Sequence, residues 1–270
     1  FFAGAAFDAA SAMGIPVAWE TLDIVLPVGI SFYTFQSMSY TIDVYHGRMK
    51  AERSWSQFAF YVAYFPQLVA GPIVRARHFI HQMYEPPRLT PQALEGGLQL
   101  IFKGLFKKLI LADTLAIYVD HAFGNAGTIG SVEAWIGLYA FAFQIYFDFS
   151  GYSDVAIGCA RLMGFRLPPN FRRPYAAVSV TEFWRRWHLS LSYWLRDYLY
   201  KPLGGNRMAS KLGVYRNLMI TMLLGGLWHG AAWTFILWGG LHGIMLVIER
   251  ALGWGRLVRD YRARPVTRVA

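Results

Sequence analysis

One cysteine, Cys159, is all the sequence holds among 270 residues. An internal disulfide and a cysteine-rich metal centre are therefore excluded, and no metal site is expected. Charge is scarce too: Asp, Glu, Lys and Arg make up 16% of the chain, against roughly 25% in soluble domains. Acid is the scarcer sign, with 16 Asp+Glu against 26 Lys+Arg and a formal net charge of +10. Common catalytic signatures are missing as well. There is no G-x-S-x-G elbow, no Walker loop, no H-E-x-x-H and no G-x-G-x-x-G, which argues against a serine hydrolase, a P-loop enzyme, a zincin and a dinucleotide-binding fold. No signal-peptide layout is visible and the chain begins at Phe1. We expect an internal piece of a longer protein, incomplete at both ends.

Apolar and aromatic residues fill the space. Hydrophobic residues reach 55% and aromatics 17%, with 10 Trp, 16 Tyr and 20 Phe. Apolar spans, interfacial aromatics and basic loops together describe a multi-pass membrane protein. The excess positive charge would also suit nucleic acid. It lies between apolar runs, however, so it reads as a topology determinant facing membrane lipid, and no nucleic-acid partner is expected. The fold class expected is all-α, with transmembrane, re-entrant and interfacial helices.

Several stretches have the length for a span, which needs about 20 apolar residues. Ile24 to Ile42 carries no charge. Neither does Ser54 to Val74, but Pro66, Gly71 and Pro72 predict a kinked or re-entrant segment there. Gly96 to Val119 is helical in pattern, with Lys103, Lys107 and Lys108 on one face, as in an interfacial helix or a span with snorkelling lysines. From Glu182 to Tyr200, Trp184, Trp187, Leu191, Trp194 and Tyr198 follow spacings of 3, 4, 3 and 4 and predict one interfacial helix. Leu218 to Ile248 is uncharged over a length too long for one span and short for two. Lys211 and Arg216 precede it, and Arg250 and Arg256 follow. The positive-inside rule then favours a compact hairpin or re-entrant pair with both ends cytoplasmic, turning near Gly225–Ala232, with a single tilted span as the alternative.

Chemistry is sought among the histidines. His46, His78, His81 and His121 fall in charged loops or at span ends and read as surface. His229 lies inside the uncharged run, where an ionisable side chain is costly and marks a functional hypothesis. Gly225, Gly226, Gly230 and Ala232 around it leave a void, or let another helix come close. A histidine bonded across a helix interface is the structural alternative. His188 is placed on the apolar face with Trp184, Leu191 and Leu195, and a satisfied core role competes with a functional one. His242 lies 13 residues beyond His229. On one continuous helix the two would be about 20 Å apart, and a turn between them would change that. Asp148 and Asp154 point about 120° apart on an ideal helix, so they predict capping or cross-helix bonds rather than an acid–base pair. What remains is intramembrane imidazole chemistry, suited to removing a hydroxyl proton.

Two long segments resemble the membrane-bound O-acyltransferase (MBOAT) family: Thr181-Glu-Phe-Trp-Arg-Arg-Trp-His-Leu-Ser-Leu-Ser-Tyr-Trp-Leu-Arg-Asp-Tyr-Leu-Tyr-Lys-Pro-Leu-Gly-Gly205 and Leu224-Gly-Gly-Leu-Trp-His-Gly-Ala-Ala-Trp233. Leu26-Pro-Val-Gly-Ile-Ser-Phe-Tyr-Thr-Phe-Gln36, Ala70-Gly-Pro-Ile73 and Tyr146-Phe-Asp-Phe-Ser-Gly-Tyr-Ser-Asp154 are similar to its bacterial alginate O-acetyltransferase branch. The likeness covers residues 22–249 within a single membrane domain, 1–270. It implies a multi-pass helical protein of the bacterial inner membrane. It also implies transfer of an acyl group, acetyl in this branch, from a cytoplasmic thioester to hydroxyls of an exported polysaccharide such as alginate.

The family's catalytic histidine falls on His229 and its second histidine on His188. His188 would then position the donor or the tetrahedral oxyanion. Trp228 and Trp233 would wall the tunnel, Arg196 with Asp197 would hold the interfacial helix, and Asp148 is a further candidate along the substrate path. No bound cofactor is implied. The thioester, acetyl-CoA or an acyl-carrier protein, is a co-substrate, and a polysaccharide or a periplasmic acetyltransferase is the partner. Two other classes stay open: a proton-coupled transporter or channel with a His229–Asp148 relay, and a non-catalytic scaffold for polysaccharide export.

Overall fold

The structure, a computed structural model, describes residues 13, 29–68, 71–85, 89–230, 232–255 and 257–258. Among them every regular element is helical. The start of the first uncharged stretch (24–28), Ala70, Ala231, Arg256 and the basic tail from Arg259 lie outside the described residues. The chain divides into two units. One contains residues 28–172 and 188–190, the other 173–187 and the chain from 191 onward.

The first unit opens with α1 (Ile30–Tyr45) and α2 (Trp55–Ala63), whose N-cap Ser54 accepts a hydrogen bond from the Gln57 amide. The kink expected before Val74 is present. Helix α2 stops at the extended Tyr64, α3 (Phe65–Leu68) follows, and α4 (Ala76–Phe79) comes after an irregular stretch at 71–75. Tyr61 reaches across the break, donating its hydroxyl to the Val74 carbonyl at 2.8 Å. Gln67 donates to the Tyr61 carbonyl at 2.6 Å. Around these bonds Tyr61, Tyr64, Phe79 and Ile80 form an aromatic core with Ala160 and Leu167. Phe165 stacks on Phe79 at 5.1 Å.

A basic, glycine-bearing helix layer completes this unit. Thr90 caps α5 (Pro91–Leu105), with proline at its first position, where its missing N–H costs nothing. The helix widens into a π segment at Phe106–Ala112 and continues as α6 (Asp113–Gly124). Its partner α7 (Ser131–Leu162) runs unbroken for 32 residues, about 48 Å. Gly151 does not interrupt it. Gly97 faces Gly158, and Gly104 faces Gly151: a Cβ at either end of each pair would lie within 2.8 Å of the other helix. Glycine is required here because the backbones nearly touch. Next to the crossings Lys107 pairs with Asp154 at 2.6 Å, Lys103 with Asp154 at 3.3 Å, and Lys108 with Asp148 at 2.7 Å. The cross-helix bonds predicted for Asp148 and Asp154 are thus present, with the lysine face as partner.

The second unit departs from the sequence reading at its start. The single helix predicted from Glu182 to Tyr200 is two. Helix α8 (Val180–Trp184) is closed by a turn, and α9 (Leu189–Leu195) begins after His188 and runs into a π segment, Arg196–Tyr200. His188 breaks the helix by adopting φ +41°, a left-handed conformation uncommon outside glycine. The 3-4-3-4 stripe therefore does not lie on one helix face.

The long uncharged run forms a hairpin, as predicted. Ser210 caps α10 (Lys211–His229), and α11 (Trp233–Ala251) packs back against it. Each helix has 19 residues, about 28 Å of rise. Among the described residues α11 is the one helix long and apolar enough to cross a membrane by length and composition. The basic and amide side chains Lys211, Arg216 and Asn217 lower the hydropathy of α10.

Candidate active site

His229 is the last residue of α10. The helix ends there because Gly230 takes an extended backbone and the chain must reverse. The hairpin closes tightly just below it. A Cβ on Gly226 would lie 2.3 Å from the Phe235 carbonyl oxygen, and one on Gly239 would lie 2.4 Å from that of Met222. The small residues flanking His229 thus admit the neighbouring helix rather than leave a void.

Three rings surround the imidazole. Trp228 lies edge-on at 4.8 Å, Trp238 edge-on at 5.4 Å, and Phe235 is roughly parallel at 6.0 Å. The ring stays exposed at the turn, held by aromatics yet reachable. Trp238 also lies edge-on against His242 at 4.8 Å, and His242 meets Trp184 at 5.2 Å. His229 and His242 thus both meet one indole. The approach of His242 is the one that a turn was expected to allow, whereas Trp238 and Phe235 were not singled out by the sequence. A helix-pair register of glycines, Gly226 against Gly239, is the signal that would have found them.

Two further candidates lie in this unit. Trp233, the first residue of α11, is 78% exposed. Arg196 makes a two-pronged bond to Asp197, both contacts 2.9 Å. Lys201 reaches the same carboxylate at 2.7 Å, and the Arg196 guanidinium covers the Tyr193 ring at 4.7 Å. Arg196 thus stays on its own π segment, tied to Asp197 and Tyr193.

His188 and Asp148 belong to the other unit. His188 is buried and edge-on to Phe149 at 4.6 Å. Its left-handed backbone is held by its neighbours. The Leu189 amide donates to the Asn170 carbonyl at 2.9 Å. The Asn170 side-chain oxygen accepts from the Ser190 amide at 3.2 Å and from its hydroxyl at 2.7 Å. Asn170 donates in turn to Ser153 at 3.2 Å, and the Ile73 amide donates to Ser190 at 2.9 Å. Asn170 is fully buried. Four chain segments meet in this Asn170–Ser190 knot, and they over-determine a strained residue. Sequence reading passed over Asn170; its place after Pro168-Pro169 in a loop was the available hint. Asp148 is engaged by Lys108, which also binds Asp113 at 2.8 Å.

The family model described as MBOAT, membrane-bound O-acyltransferase family, matches residues 53–270. The chain belongs to this family. Among its curated relatives is a protein named "Probable alginate O-acetylase AlgI" from Pseudomonas aeruginosa, 54% identical over 231 residues, covering 85% of this chain and 44% of that one. A peptidoglycan O-acetyltransferase of Helicobacter pylori is 41% identical, covering 86% of this chain and 49% of its own. A teichoic acid D-alanyltransferase of Streptococcus thermophilus is 32% identical over 83% of this chain and 57% of its own. The chain spans about half the length of the curated relatives it matches. As an MBOAT member it is a membrane protein, and the names of the three relatives give acetyl or D-alanyl transfer.

Proposed function

We propose that the complete protein is a multi-pass O-acyltransferase of the bacterial inner membrane. It carries acetyl from a cytoplasmic thioester to hydroxyls of an exported polysaccharide such as alginate, directly or through a periplasmic acetyltransferase. The observation that carries this reading is His229 at the hairpin turn, ringed by aromatics, in a chain of the MBOAT family.

In the proposed reaction an imidazole nitrogen of His229 accepts the acceptor hydroxyl's proton as the oxygen attacks the thioester carbonyl. The tetrahedral intermediate collapses, the C–S bond breaks, and the thiolate leaves and is protonated. Aromatic walls such as Trp228 would keep water from competing. His188 would position the donor or the oxyanion, a task favoured by its buried, tied-down backbone. Depth supports the scheme: His229 stands 13 residues beyond Arg216, about 20 Å along α10. With Arg216 at the cytoplasmic interface, the imidazole would reach well into a hydrocarbon core about 30 Å thick.

Thioester consumption by membranes containing the complete protein tests this reading. Acetyl-CoA or an acetylated carrier protein should be consumed only when the polysaccharide acceptor is added, with acetyl recovered on it as ester. Neither donor being consumed would refute it.

A further inference from the structure

The ring cluster that holds His229 also takes in His242 and Trp184, and all of these belong to the second unit. Helix α8 is fastened to α11 by the Glu249 carboxylate, which accepts from the Thr181 amide at 3.0 Å. Three residues further along, Trp184 lies edge-on to His242 at 5.2 Å and to Trp238 at 5.8 Å. Phe183 lies parallel to the His242 imidazole at 6.4 Å. Close packing of α11 on α10 fixes the other side of the frame: a Cβ on Gly243 would fall 2.8 Å from the Met219 sulfur. His242 is thus held by rings, as His229 is.

On these two neighbouring rings, Trp184 Nε1 and His242 Nδ1 are buried and have no hydrogen-bond partner among the described residues. An indole nitrogen can only donate, and His242 Nδ1 donates in the tautomer that carries its proton there. A buried donor left unmet is costly, and each instance calls for a reason. The same unit does satisfy an indole elsewhere: Trp254 Nε1 donates to the Val178 carbonyl at 3.2 Å. Unmet donors held rigidly in the ring cluster of a general base have a definite use in acyl transfer. They are fixed in advance for negative charge that develops only in the transition state.

We infer, given the acyl-transfer reading of His229, that Trp184 and His242 supply the oxyanion hole of its reaction, a task otherwise open to His188. As the acceptor oxygen bonds to the thioester carbon, the carbonyl π pair moves onto the carbonyl oxygen and His229 takes the hydroxyl proton. Trp184 Nε1–H and His242 Nδ1–H donate hydrogen bonds to that oxyanion and keep their protons. When the C=O bond re-forms, the C–S bond breaks and the thiolate leaves. The neutral ground-state carbonyl gains less from the same donors, so they lower the barrier rather than tighten binding.

Steady-state acetyl transfer by membranes carrying equal amounts of the complete protein and its variants tests this. Trp184→β-(3-benzothienyl)alanine keeps the bicyclic ring and exchanges only the N–H for sulfur. It should lower kcat by about a hundredfold or more, the cost of one oxyanion donor, with KM nearly unchanged. His242→Leu should do the same, and His242→Asn, whose amide nitrogen takes the Nδ1 place, should keep more of kcat than His242→Leu does. An unchanged kcat in either the isostere or His242→Leu overturns the inference. So does a raised KM with kcat intact, since the lost contact was then made equally in the ground state. If His242→Leu fails to accumulate in the membrane, the isostere alone decides. A parent that transfers nothing refutes the acyl-transfer reading itself, whereas variants that match an active parent refute only the oxyanion hole.

Discussion

At the residue scale, the two histidines are held by opposite means. His229 sits on an ordinary helix end, with its orientation set by rings; His188 sits on a strained backbone, with its orientation set by a hydrogen-bond knot. Each makes a distinct prediction. Removing the Trp238 ring should let the His229 imidazole wander. Trp238→Ala should lower acyl transfer by roughly tenfold to a hundredfold, the cost of misplacing a catalytic group by about 1 Å, without lowering protein abundance in the membrane. Unaltered transfer would mean that Trp238 does not orient His229. Asn170→Ala should instead act on stability. It strips partners from Ser153 and from the Ser190 amide, so a loss of about 1–3 kcal/mol is expected, read as a lower thermal midpoint in detergent. A midpoint equal to the parent's would show that the left-handed His188 is held by something else.

Among the elements, the hairpin depends on glycine and offers a paired test. Gly239 and Gly240 are neighbours on α11, but a Cβ meets the Met222 carbonyl oxygen at 2.4 Å at the first and only Leu223 Cδ2 at 3.6 Å at the second. Gly239→Ala should force the helices apart at a cost of roughly 1–3 kcal/mol, and Gly240→Ala should be tolerated. A thermal-shift comparison reads both, and equal midpoints would contradict the close crossing. This hairpin was legible in the sequence, because an uncharged run flanked by basic residues and broken by Gly225–Gly226 and Gly230 has few other ways to fold. So was the kink before Val74, from its prolines. The ion pairs of Asp148 and Asp154 were legible in kind, since a lysine face and two aspartates within apolar surroundings must find each other. The break at His188 was not. The stripe of Trp184, Trp187, Leu191 and Trp194 keeps helical spacing straight through it, and what turns the chain is a long-range bond from Asn170, invisible to any local pattern. The π segments at Phe106–Ala112 and Arg196–Tyr200 were not legible either, since they keep the apolar and charged spacing of ordinary helix.

At the scale of the whole molecule, topology and reaction are linked. If α10 and α11 enter from the cytoplasm, positions 211 and 250 both face it. Single cysteines placed there as Lys211→Cys and Arg250→Cys, with Cys159 replaced, should be labelled by an impermeant maleimide only after the membrane is opened. Labelling of either one from the periplasm would overturn the hairpin's orientation. The central claim is the role of His229, and one measurement reaches it most directly: acetyl transfer from thioester to polysaccharide by membranes carrying equal amounts of the complete protein and its His229→Gln variant. A general base contributes about a hundredfold or more, so the variant should fall by at least that factor while remaining in the membrane. Transfer within a few-fold of the parent would contradict the account.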